Sequence, residues 1–95
     1  MVWASLFSAL KILYDLIGDN MRTRHNQKYK LLGLNISYYR KLNNYTQESL
    51  AEKLGIDRTT VSKIELATCG VSLDLLFDIS EVLNVPVEKL FTFRD

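Results

Sequence analysis

The stretch Gln47-Glu48-Ser49-Leu50-Ala51-Glu52-Lys53-Leu54-Gly55-Ile56-Asp57-Arg58-Thr59-Thr60-Val61-Ser62-Lys63-Ile64-Glu65 decides the fold. Leu50, Ala51 and Leu54 fall on one side of a short helix, Gln47 to Leu54, for which Thr46 is a good N-cap. Gly55 follows, the residue that most easily takes the left-handed conformation of a sharp helix-to-helix turn. Asp57 then caps a second short helix, Arg58 to about Glu65. Ala51 is small enough for close approach, and Ile56, Val61 and Ile64 lock the two helices together. At about 100° per residue, Val61 and Ile64 share one side of the second helix. Arg58, Thr59, Ser62 and Lys63 cluster on the opposite arc, all able to hydrogen-bond and two of them cationic. Acids stay off that arc, with Asp57 at the cap and Glu65 near the buried side.

The same reading extends in both directions. Before the pair, Leu32, Ile36, Tyr39 and Leu42 set a core helix that breaks at Asn43-Asn44. After it, residues 66–71 form a loop and Ser72 caps a helix with Leu73, Leu76, Ile79 and Leu83 inward. Asn84 suits that helix's end, and Pro86 opens a short last helix that buries Leu90 and Phe91. No segment alternates polar and apolar residues as a strand does, so the expected class is all-α. Four Gly and one Pro in 95 residues agree with that and not with a turn-rich β sandwich. The single Cys69 excludes a disulfide framework and, beside the single His25, any common zinc site. It also points to a reducing, cytoplasmic setting. Without a catalytic triad, a Gly-rich phosphate loop or a metal cluster, neither an enzyme nor a cofactor is expected.

The formal net charge is only +1, but the charges are segregated. Residues 21–45 hold Arg22, Arg24, Lys28, Lys30, Arg40 and Lys41 with no acid, between two acidic blocks. Such a footprint suits a polyanionic partner; a solvated linker beside ordinary helix surfaces is the alternative. Residues 21–30 read as a basic linker or arm with partial helical character, and residues 31–95 as the domain. Residues 1–20 read as an amphipathic helix, with Trp3, Leu6, Leu10, Leu13 and Ile17 spaced three and four apart. Lys11 and Asp15 interrupt it, so it is neither a signal peptide nor a membrane span. An apolar face this wide requires burial. A partner subunit's matching helix (dimerisation) is the first reading, the chain's own domain the second, a membrane surface a distant third. Met21, at the head of the basic block, is an alternative start that would make residues 1–20 an extension.

The pattern Gln-x-x-Leu-Ala-x-x-Leu-Gly-x-x-x-x-x-Val-Ser-x-x-Glu resembles the lambda-repressor/Cro-like helix-turn-helix family, often called XRE. The likeness spans about Leu32 to Phe91, with Gly33, Ile36 and Arg40 matching the family's first helix. It implies a five-helix domain, here with an extra N-terminal helix, whose third helix enters the major groove of double-stranded DNA. Gln47 resembles the glutamine that bonds a phosphate and helps orient the reading helix, with Thr46 and Tyr45 close enough to share that work. Arg58, Thr59 and Lys63 resemble base-reading positions, Ser62 is a base-edge or phosphate neighbour, and Thr60 stands at the border between the two. Arg40 and Glu65 resemble a structural ion pair tying the first helix to the third. The loop Leu66-Ala67-Thr68-Cys69-Gly70-Val71 departs from the family, with its glycine displaced to Gly70 and no phosphate-binding bases. Lys28 and Lys30 of the arm are the expected substitutes. The function implied is a dimeric, sequence-specific transcriptional regulator; the alternative is an antitoxin-like or other protein-interaction module on the same fold.

Overall fold

The computed structural model describes residues 25–94, and the expected N-terminal helix, with its Trp3–Ile17 seam, lies outside them. Four α-helices follow in order: α1, Asn26–Leu42; α2, Gln47–Leu54; α3, Arg58–Glu65; and α4, Leu73–Val82. The short last helix expected after Pro86 is a 3-10 helix, Val87–Phe91. There is no strand among the described residues, and no helix among them is long and apolar enough to cross a membrane.

Each boundary has a local cause. The α1 helix ends where Asn44 turns left-handed at φ 63°, and Asn43 Nδ2 donates to Tyr39 O at 2.7 Å and to Leu83 O at 3.0 Å. Thr46 Oγ1 accepts from Ser49 N, while Thr46 N donates to Ser49 Oγ, closing a reciprocal cap on α2. Gly55 ends α2 at φ 70°, with Ile56 N returning to Ala51 O at 3.0 Å. Asp57 occupies the N-cap of α3, but its side chain makes no capping hydrogen bond, contrary to the expected role. Ser72 does cap α4, accepting from Leu75 N, and Asn84 closes that helix at φ 54°.

The core joins Leu32 and Ile36 of α1, Leu50 of α2, Val61 and Ile64 of α3, and Leu76 and Ile79 of α4. Leu83 and Leu90 complete it from below. Two expected core residues are elsewhere: Leu73 is 67% exposed and Phe91 51%. Leu73 is the first residue of α4 and Phe91 the last of the 3-10 helix, so both overrun the end of the packed layer. In a 3-10 helix neighbours lie about 120° apart, so burying Leu90 turns Phe91 out. Leu42, in the last turn of α1, is also exposed.

One polar side chain is fully inside. Asn35 donates from Nδ2 to Leu90 O and to Thr92 O, both at 2.9 Å, and its Oδ1 accepts from Arg94. Arg94 also lies over the Tyr38 ring, 3.8 Å from its centre. One buried amide thus fastens the C-terminal stretch to α1.

Candidate nucleic-acid interface

The short helices α2 and α3 meet across the Gly55 turn, and α3 is amphipathic in the way its sequence requires. Val61 is 1% exposed and Ile64 4%. Arg58, Thr59 and Lys63 are exposed, while Thr60 and Ser62 are half-buried. The exposed polar arc is therefore centred on Arg58, Thr59 and Lys63, with Ser62 and Thr60 at its margins.

What holds α3 in place is a network at its C-terminal end. Arg40 Nε donates to Glu65 Oε2 at 2.6 Å and Arg40 Nη2 to Glu65 Oε1 at 3.1 Å, the two-pronged geometry that fixes a guanidinium against a carboxylate. The side chains are only 9% and 6% exposed. Arg40 Nη1 donates in addition to Tyr45 O at 2.9 Å, and Gln47 Nε2 donates to Glu65 Oε1 at 3.1 Å. Helix α1, the turn before α2, the start of α2 and the end of α3 are thus joined through one carboxylate and one guanidinium.

Gln47 accordingly spends one N–H on Glu65, and its second N–H and its carbonyl oxygen are what it can offer a phosphate. Thr46 is committed more fully, since its hydroxyl both accepts from Ser49 N and donates to Ser49 Oγ. The resemblance gave Gln47 a phosphate and a part in orienting the reading helix but named no partner for the second role; that partner is Glu65. A carboxamide at the head of α2 carries no sequence signal for a partner eighteen residues away.

A second constraint is steric. A Cβ at Gly33 would stand 2.5 Å from Glu65 O and 2.7 Å from Ile64 O, so the backbone of α3 rests directly on α1 at that point. A glycine inside a helix costs about 1 kcal/mol relative to alanine, and that cost is the signal that marks a close crossing.

The partial helical character expected of residues 21–30 is present from Asn26 onward, which places Lys28 and Lys30 on α1. They point in directions about 160° apart around the axis. Lys30 is about 60° from the direction of Gly33 and Lys28 about 140°, which leaves Lys30 nearer the α3 side. In the loop after α3, Ala67 is left-handed, at φ 59°.

Two short helices about a glycine turn, the second tied down at its far end and exposing a cationic, hydroxyl-bearing arc, define a helix-turn-helix unit. A family model described as helix-turn-helix matches residues 36–90, and the chain belongs to that family. An uncharacterised HTH-type transcriptional regulator of Methanocaldococcus jannaschii is 43% identical over 60 residues, covering 63% of this chain and 91% of its own. The control protein C.SmaI of Serratia marcescens is 38% identical over 63 residues, covering 66% of this chain and 75% of its own. Among solved structures, the restriction-modification controller protein C.AhdI from Aeromonas hydrophila superposes with a TM-score of 0.68 at 26% identity, covering 73% of this chain and 100% of that one. SinR, a master regulator for biofilm formation solved in complex with DNA, gives a TM-score of 0.60 at 35% identity, covering 64% of this chain and 98% of that one.

Proposed function

We infer that the protein is a DNA-binding transcriptional regulator, a binding protein and not an enzyme, whose helix α3 enters the major groove. The observation that carries this reading is the exposed arc of Arg58, Thr59 and Lys63 on a helix immobilised from behind by Glu65. An α-helix fits the major groove, where Arg or Lys recognises guanine and the Thr methyl can meet thymine. Ser62 completes the base-reading set. Gln47 contacts the backbone, with Thr60 and Lys30 beside it; Thr46 and Lys28 have less to offer, the one committed to its cap and the other turned away. With a net charge of only +1, general attraction to polyanions is weak, so discrimination rests on α3 and on two copies binding half-sites about 34–36 Å apart. The likeness to named regulators, one of them solved on DNA, supports the same reading.

Selection of bound duplexes from random DNA tests it. The expected product is a sequence with two related halves one helical turn apart. Arg58→Ala with Lys63→Ala should relax the selected sequence, whereas Lys30→Ala should weaken all duplexes alike and lower the salt slope by about 1. An affinity that hardly changes between low and moderate salt would sink the proposal.

A further inference from the structure

One side chain on the exposed arc of α3 carries no polar atom. Leu66, the residue that closes the helix, is 64% exposed. Its backbone is still helical, at φ −87° and ψ −2°, and its N–H donates to Ser62 O at 2.9 Å, four residues back. The side chain therefore keeps the helical direction. At about 100° per residue it points about 20° from Thr59, about 40° from Ser62 and about 60° from Lys63. That direction lies inside the polar arc and well away from Val61 and Ile64.

The backbone beneath Leu66 is fixed. Ala67 N donates to Ile64 O at 3.1 Å and Thr68 N to Lys63 O at 2.9 Å, while Thr68 Oγ1 donates to the same carbonyl at 3.3 Å. Ala67 itself is buried. The end of α3 is thus closed by its own hydrogen bonds, with Leu66 held out from it. A leucine also loses less rotamer freedom on burial than a lysine or an arginine does.

We propose that Leu66 is a specificity-determining residue that packs against the C5-methyl group of a thymine in the major groove. The proposal rests on the DNA-binding reading of α3. Thr59, Ser62, Lys63 and Leu66 stand at i, i+3, i+4 and i+7, the set that a helix lying lengthwise in a groove turns towards the bases. From Thr59 to Leu66 the helix rises about 10.5 Å, the length of about three base steps. Of the four bases, only thymine shows an apolar group in the major groove, and an apolar side chain is what recognises it. Leucine neither donates nor accepts, so against a phosphate or a guanine edge it would displace water and return no hydrogen bond. A single exposed leucine is ordinary on a protein surface, and here its place decides. A protein partner calls for a broad apolar patch, whereas the neighbours of Leu66 on α3 are Thr59, Ser62 and Lys63.

Uracil provides the test, because it pairs as thymine does and lacks only the methyl. The duplex that the full chain selects from random DNA is remade with deoxyuridine at each thymine in turn, and affinity is read by fluorescence anisotropy. One replacement should weaken the parent about fourfold per half-site, the worth of one buried methyl. Leu66→Ala should weaken the thymine duplex by a similar factor and no longer distinguish that uracil. Leu66→Met, which keeps the apolar contact, should retain the discrimination, and a thymine met by Thr59 should keep its uracil effect in Leu66→Ala. Thermal unfolding of Leu66→Ala should match the parent's, because the side chain is exposed and the backbone ordinary. Parental affinity in Leu66→Ala would overturn the proposal, as would a loss that leaves every uracil effect unchanged. In either case the DNA reading survives if Arg58→Ala with Lys63→Ala relaxes the selected sequence. A parent that selects no sequence overturns both. A halved mass of Leu66→Ala in light scattering would place Leu66 between two copies and overturn the thymine contact.

Discussion

Gly33→Ala should destabilise the protein even though alanine is the better helix former. The added Cβ would lie 2.5 Å from Glu65 O, and ordinary contact begins at 3.4 Å, so α3 must retreat by about 0.9 Å at its C-terminal end. The obstructing atoms are backbone and cannot rotate aside. Overpacking of this kind costs about 1–3 kcal/mol, and rigid neighbours place this site near the upper end. Replacing glycine inside a helix returns about 1 kcal/mol. The net loss is then about 2 kcal/mol, or about 8–16 °C in melting temperature for a domain of this size. The same displacement moves the residue that anchors the proposed reading helix. Affinity for the selected duplex, measured well below the transition, should fall about tenfold, the worth of one good base contact. Thermal unfolding followed by circular dichroism and fluorescence anisotropy with labelled duplex read the two effects separately. A variant that melts at or above the parent's temperature would refute the crossing of α1 and α3 on which the site's geometry depends.

Other substitutions separate conformation, charge and polar burial. Gly55→Ala meets nothing within 4 Å but must hold φ 70°, so it should lower stability by about 1–2 kcal/mol in a denaturant titration while leaving DNA affinity unchanged. Glu65→Ala strands the Arg40 guanidinium and frees Gln47, and should cost about 3–5 kcal/mol by the same titration. Arg40→Met with Glu65→Leu should recover most of that stability but not the sequence preference, read by repeating the duplex selection. Asn35→Leu leaves the carbonyls of Leu90 and Thr92 without their donor and should cost about 2–3 kcal/mol. Hydrogen exchange near residues 90–94 should speed up more than in α2 or α3.

The helices were legible because their signals are local. Thr46, Gly55, Ser72 and Asn84 mark boundaries through their own side chains or backbone, and each stands where its chemistry suggests. The inner faces of α2 and α3 followed from periodicity alone. What escaped depends on contacts made across the chain. Leu73 and Phe91 fit an inward pattern, yet the core ends before it reaches them, and no periodicity reports where a packed layer stops. Residues 21–30 are polar and without periodicity, so nothing in them marks that α1 extends back to Asn26. Asn35, adjacent to Ile36 in an otherwise apolar face, is a poor mid-helix residue, and its use emerges only when Leu90 and Thr92 arrive from more than fifty positions away. Ala67 adopts a left-handed turn that its residue type does not announce, because the turn is fixed by Thr68 N returning to Lys63 O.

The Arg40–Glu65 pair shows what the site demands of the fold. A buried ion pair is weak support for stability, because desolvating both charges offsets much of their attraction. Its geometry, however, cannot slide: the two-pronged contact sets the angle of α3 against α1, Tyr45 O holds the same guanidinium to the turn, and Gln47 Nε2 holds the same carboxylate to α2. Apolar replacements could fill that volume, but they would permit small rotations of α3 at little cost. On the proposed reading surface, such rotations would carry Arg58 and Lys63 past hydrogen-bond range of a base edge. The pair therefore makes physical sense as a positioning device, and the apolar double replacement separates that role from a merely stabilising one.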